Sequence, residues 1–120
     1  MAETVVTPVA LVRDVASVDI AMAGGTAINP ANTMHIPYKK QDKLLILVNN
    51  TFAGEKKVTV KAGDFLAKGQ GDLVVPILQN EVVALVLSSD RFKNADGNVV
   101  LEFEESMTGF VRALTLPFVA

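Results

Sequence analysis

The side chains in this sequence that could do chemistry form a short set. His35 is the one histidine, hence the one side chain whose ordinary pKa lies near neutrality, and it stands in a Met-His-Ile-Pro run with no acidic neighbour in sequence. A nucleophile activated by it would be Ser88, Ser89 or Ser106, since nucleophile and base meet in space rather than along the chain. None of these serines sits in a Gly-x-Ser-x-Gly elbow. Acid and base catalysis by paired carboxylates needs one member held in an apolar or like-charged setting. The available group, Glu102 with Glu104 and Glu105, follows a strand into a turn, and Glu102 and Glu104 alternate onto one side. That pattern reads as a solvent-facing edge that discourages strand pairing. Asp90, Asn94, Asp96 and Asn98 have the residue types of a calcium loop but not its alternating spacing or closing glutamate. Gly69-Gln70-Gly71 lacks the Lys-Ser or Lys-Thr of a phosphate loop. Asn49-Asn50-Thr51 matches a glycosylation acceptor and, without a secretory leader, reads as a turn. The expectation is a chain with no catalytic residue, no cofactor and no metal: not an enzyme.

The elements that carry these residues are strands. The stretch KLLILVNNTFAGEKKVTVKAGD, from Lys43 to Asp64, contains two strand-like runs joined by a polar turn with Gly54. Leu44 to Val48 are continuously apolar, as in a strand covered on both faces, while Lys57, Thr59 and Lys61 alternate with Val58, Val60 and Ala62. Gly, Pro, Asn and Asp punctuate the chain every ten to fifteen residues, and Val, Leu, Ile and Thr fill the intervals. Strands are predicted at 9–13, 18–22, 33–36, 43–48, 56–61, 81–87, 98–103 and 109–116. The segment 14–23 also has helical spacing at Val15, Val18 and Met22, but its β-branched residues favour strand. Irregular loops are expected at 24–30 and 63–71. A short helical turn fits 88–94, where Ser88 or Ser89 can cap free amides, and Asp96-Gly97 supplies a tight turn into the next strand. The fold class is therefore all-β, a single antiparallel sandwich or barrel of jelly-roll or Greek-key type. Residues 9–120 form the domain, and 1–8, left without partners, form an extended arm.

Composition narrows the partners. At 120 residues the chain can bury roughly two-thirds of its unfolded surface. With no cysteine, neither disulfides nor thiolate metal sites contribute. The net charge of -2, from 11 basic and 13 acidic residues, lacks the basic excess that a phosphate backbone demands, so nucleic acid is not an expected partner. No run approaches the length of about 18 apolar residues that spans a bilayer, and the start MAETVVTP lacks the features of a secretory leader, so no membrane association is expected and synthesis is assigned to the cytoplasm. Half the residues are hydrophobic and the mean hydropathy is +0.36. Such an excess implies apolar surface that meets another chain, or else a core rich in Val, Leu and Ala. One tyrosine, six phenylalanines and no tryptophan are few for a sugar-binding platform. Phe52, in the turn after the strongest strand, is the aromatic expected to be exposed.

The order of features carries a resemblance. Leu44-Leu45-Ile46-Leu47-Val48-Asn49-Asn50-Thr51 is followed by Val58-Thr59-Val60-Lys61-Ala62-Gly63-Asp64, then Gly71-Asp72-Leu73, Ser89-Asp90-Arg91-Phe92, Asp96-Gly97, and Thr108-Gly109-Phe110 leading to Leu114-Thr115-Leu116-Pro117. This succession resembles the small head-decoration and related structural proteins of tailed bacteriophages and prophages. The likeness covers about two-thirds of the chain, from Lys43 to Pro117; each piece is common strand and turn vocabulary, and the specificity lies in their joint order. The resemblance implies a β-sandwich or β-barrel that binds the lattice of the major capsid protein, often as a homo-oligomer, and stabilises it mechanically on the virion surface. It implies no catalysis and no cofactor. The expected interface residues are Val5, Val6 and Pro8 of the arm, together with Phe52. The alternative is a ligand-binding or adhesive β-sandwich module of a phage tail or surface appendage, using the loop tips 51–54 and 69–72.

Overall fold

The computed structural model describes residues 3–11, 16, 22–37, 43–63, 71–87, 92, 94 and 97–116. Among the described residues ten strands build two sheets. They are β1 (Glu3–Val5), β2 (Val9–Ala10), β3 (Thr26–Ala27), β4 (Thr33–Pro37), β5 (Lys43–Asn49), β6 (Lys56–Val60), β7 (Leu73–Ile77), β8 (Val82–Leu87), β9 (Asn98–Phe103) and β10 (Phe110–Leu116), with one 3-10 turn at Met22–Gly24. The first sheet has the order β1-β4-β9-β6-β7; the second has the order β2-β10-β5-β8, with β3 also pairing β10. The chain is an all-β sandwich.

Period-2 patterning explains the packing. On β5, Leu44, Ile46 and Val48 point inward and are buried, as are Val99, Leu101 and Phe103 on β9, Val58 and Val60 on β6, and Val111 and Ala113 on β10. Met34 and Ile36 of β4 complete the same cluster. Each fully buried Val, Leu or Ile contributes about 1.5–3 kcal/mol relative to exposure, so these two inner faces hold the sheets together. Consecutive strands rarely pair. Among the described strands only β6 and β7 form a hairpin, because β4 to β5, β5 to β6, β7 to β8, β8 to β9 and β9 to β10 each cross between the sheets.

Several expectations are revised. The sheets are mixed rather than wholly antiparallel, since β1 runs parallel to β4 and β2 runs parallel to β10. Residues before Pro8 have partners after all: Glu3, Thr4 and Val5 align with Thr33, Met34 and His35. The Val6 amide then donates to the His35 carbonyl at 3.0 Å, and Val6 joins the core. The edge of β4 offers unpaired backbone groups that an extended apolar segment satisfies, which is why the arm docks on its own domain. β7 escaped the strand pattern because Pro76 interrupts it; the structure places it at a sheet edge, where a residue without an N–H is tolerated. The turn before β9 is as expected at Gly97, whose φ of 88° is in the region that favours glycine; the Gly97 amide donates to the Asn94 carbonyl at 3.0 Å. The helical turn expected at 88–94 and the loop at 63–71 fall mostly outside the described residues, as does most of 14–23.

Candidate functional site

His35 lies half-buried on β4. Its Nε2 is 3.0 Å from the Thr33 hydroxyl and 3.5 Å from the Glu3 carboxylate. The partners are thus a threonine two residues back on the same strand and an acid delivered by β1, and the group ties the docked N-terminal strand to its neighbour. Ser106 sits elsewhere, in the turn between β9 and β10 with φ of 69°. Ser88 and Ser89 lie outside the described residues.

The carboxylates pair with lysines. β9 occupies the middle of its sheet, so Glu102 is on the outer face of a central strand and not on an edge, contrary to the alternation argument. Lys61 Nζ is 2.9 Å from Asp72 and 3.7 Å from Glu102, and the other Asp72 oxygen accepts the Ala62 amide at 2.6 Å. Lys56 Nζ is 3.4 Å from Glu104 and lies 4.6 Å from the centre of the Phe52 ring. These contacts knit the ends of β6 to β7 and β9. The hydrogen bond to Asp72, with the nearby Glu102 charge, raises the Lys61 pKa above the ordinary lysine value. A raised folded-state pKa contributes stability that is complete below the unfolded value and is lost as pH rises through the folded one. The Lys61 side chain is 40% exposed, so solvent screens the pair and it is worth less than about 1 kcal/mol. The stability difference between wild type and Lys61→Met should stay constant from pH 7 to about 9 and shrink above about pH 10.5, as read by urea denaturation. A difference that persists unchanged at high pH would exclude the ion pair as its source.

The turn at 49–55, whose role the sequence leaves open, is organised by a buried side chain. Asn50 is inaccessible to solvent; its Nδ2 donates to the carbonyls of Gly54 at 2.8 Å and Ile77 at 2.9 Å, and its Oδ1 accepts the Phe52 amide at 2.9 Å. Its backbone carbonyl accepts the Asn80 amide at 2.7 Å. The turn after β5 is thereby locked to the turn between β7 and β8. The cue in the sequence was an Asn-Asn-Thr directly after an apolar strand, which reads as a generic turn until the opposing carbonyls are placed.

Among the expected interface residues, Val5 is 65% exposed, Val6 is 3% exposed, and Pro8 and Phe52 are half-buried. The sandwich brings the first three together but holds Phe52 with Lys56. Val6 is committed to the core and is not available to another chain. A cleft of about 280 Å³ runs beside the docked N-terminus, lined by Val5, Val6 and Thr7, by Gly24 and Gly25, and by Arg112 of β10. Among the described residues that line it, Arg112 is the ionisable one. Among the described residues no group of three His, Asp or Glu converges as a metal site. No helix among them is long and apolar enough to cross a membrane.

The outer surface is where the apolar excess shows. Of the large hydrophobic side chains left exposed among the described residues, Val74, Leu78, Val82 and Val86 belong to β7, β8 and the turn joining them, and Val5 is the other. On β5 the outward Leu45 and Leu47 are only half-buried. The candidate functional site is therefore the exposed apolar surface of β7, β8 and the turn between them. Comparison of the chain with protein-family models, with curated proteins and with solved structures returned no match.

Proposed function

We propose that this chain is a non-enzymatic structural protein of a phage virion, a capsid decoration protein that binds the assembled shell and stabilises it through apolar and strand-edge contacts. The observation that carries the reading is that the exposed Val74, Leu78, Val82 and Val86 fall on two sheet-edge strands, β7 and β8, and the turn joining them. Apolar side chains at sheet edges suit contact with another protein chain, because burying them and completing the edge both favour association. The ordered resemblance of residues 43–117 to phage head-decoration proteins supplies the kind of partner. Site chemistry plays no part in this role: binding follows from burying apolar area and completing backbone hydrogen bonds at strand edges.

The test is co-sedimentation of the purified chain with empty capsids of the parent phage, read alongside native mass measurement. The expected result is saturable addition to the shell and a shell that resists a higher temperature or lower salt when decorated. A chain that never associates with shells defeats the proposal and favours the adhesive or ligand-binding module. Deletion of the residues before Pro8 is a poor probe of binding, because it removes β1 and the buried Val6 together.

A further inference from the structure

The most unusual strand is β8. Its sequence, VVALVL, is apolar on both faces and carries no group that would discourage pairing at its edge. β5 has the same character and does have two neighbours, β10 and β8. β8 itself ends the second sheet, and among the described residues no strand pairs with its other side. The remaining sheet edges are blunted: β7 carries Pro76, β1 is three residues long and begins with Glu3, and β2 and β3 are two residues each. Proteins protect edges with proline, charge, brevity or bulges, because an unprotected edge recruits another strand. β8 has six residues, no charge and no proline.

We propose that β8 is a self-association edge, at which a second copy of this chain pairs antiparallel about a two-fold axis and the second sheet continues from one protomer into the next. The occupant follows from the strand's own symmetry. Residues 82 to 86 read Val-Val-Ala-Leu-Val, so a two-fold at Ala84 sets Val82 against Val86 of the second copy, Val83 against Leu85, and the small Ala84 against itself. Every outward residue then faces an outward residue, as sheet pleating requires, and no like charges oppose each other. A two-fold interface must be self-complementary in this way. A side wall roughly 20 Å long and roughly 20 Å deep, from six strand residues and two sheets ~10 Å apart with their outer side chains, offers on the order of 400 Å² per copy, the small end of protein interfaces, so the backbone pairing along the strand supplies the rest of the specificity. The pairing leaves Val82 and Val86 on the outward face, doubled across the axis.

This goes beyond shell binding and is tested without a shell, so its failure leaves that reading standing. Sedimentation equilibrium of the full chain should show a dimer. In the free protomer Val82 and Val86 are 49% and 58% exposed, so lysines there leave the core untouched. V82K/V86K sets lysine against lysine at both ends of the axis and should raise the dissociation constant on the order of tenfold or more. V82K/V86E sets lysine against glutamate in the same register and should keep the dimer. Circular dichroism confirms that both variants retain the strand signature. A monomeric or odd-numbered wild type, or a V82K/V86E variant as dissociated as V82K/V86K, overturns the proposal.

Discussion

Replacing Asn50 by Ala is expected to lower the free energy of unfolding by about 3 kcal/mol, because three side-chain hydrogen bonds vanish and buried carbonyls lose their donors. The side chain sits at zero exposure, and its amide bridges the carbonyls of Gly54 and Ile77. The cost of an orphaned buried carbonyl exceeds the worth of the bond that satisfied it, so deletion is harsher than bond counting suggests. Asn50→Asp tests the same point differently: it keeps the Oδ1 acceptor for the Phe52 amide but presents a second acceptor to two carbonyls, and should be at least as destabilising. Urea denaturation reads both. A loss under about 1 kcal/mol for Asn50→Ala would mean that the two turns hold together without this amide. Because the bridge ends at the β7–β8 turn, loosening it should also weaken any association that uses β8.

Gly109→Ala should be comparably severe, at about 3 kcal/mol, with a fall in melting temperature on the order of 10 °C. Gly109 has φ of 150°, a conformation almost reserved for glycine. A Cβ there would collide with the backbone carbonyl of Asn49, and neither strand can retreat freely. The Gly109 carbonyl accepts the Ile28 amide at 2.9 Å, while the Asn49 side chain accepts the Phe110 amide at 2.6 Å. The strand β10 therefore enters its sheet pinned on both sides, and glycine is what permits the close approach. A melting temperature within about 2 °C of wild type would show that the strands shift apart at little cost. Since Asn49 and Asn50 are adjacent, the double variant of Asn50→Ala with Gly109→Ala should lose less than the sum of the two.

Much of this architecture was readable in the chain. The alternation of Lys57, Thr59 and Lys61 with Val58 and Val60, and the inward set of Val99, Leu101 and Phe103, follow from the period of a strand, which is a local property. So does the turn at Gly97, where a positive φ selects the residue type. The misreadings have a common cause in pairing between distant segments. Glu3–Val5 looked unpartnered because its partner, β4, lies some thirty residues on, and a parallel neighbour leaves no hairpin signature. β7 is missing from the expected strands, and its Pro76 is accommodated because the strand lies at a sheet edge. Glu102 seemed to guard an edge, yet β9 turned out central.

By itself, then, the sequence determined the all-β class, the inward and outward faces of most strands, and the scarcity of reactive groups, since each depends on residue type and short-range spacing. Tertiary structure alone decided which strands are neighbours. That choice buried Asn50 against two carbonyls, set Gly109 against Asn49, and left β8, apolar on both faces, standing at an edge. Neighbour relations depend on which distant backbone groups satisfy one another, and no local pattern of side chains encodes that.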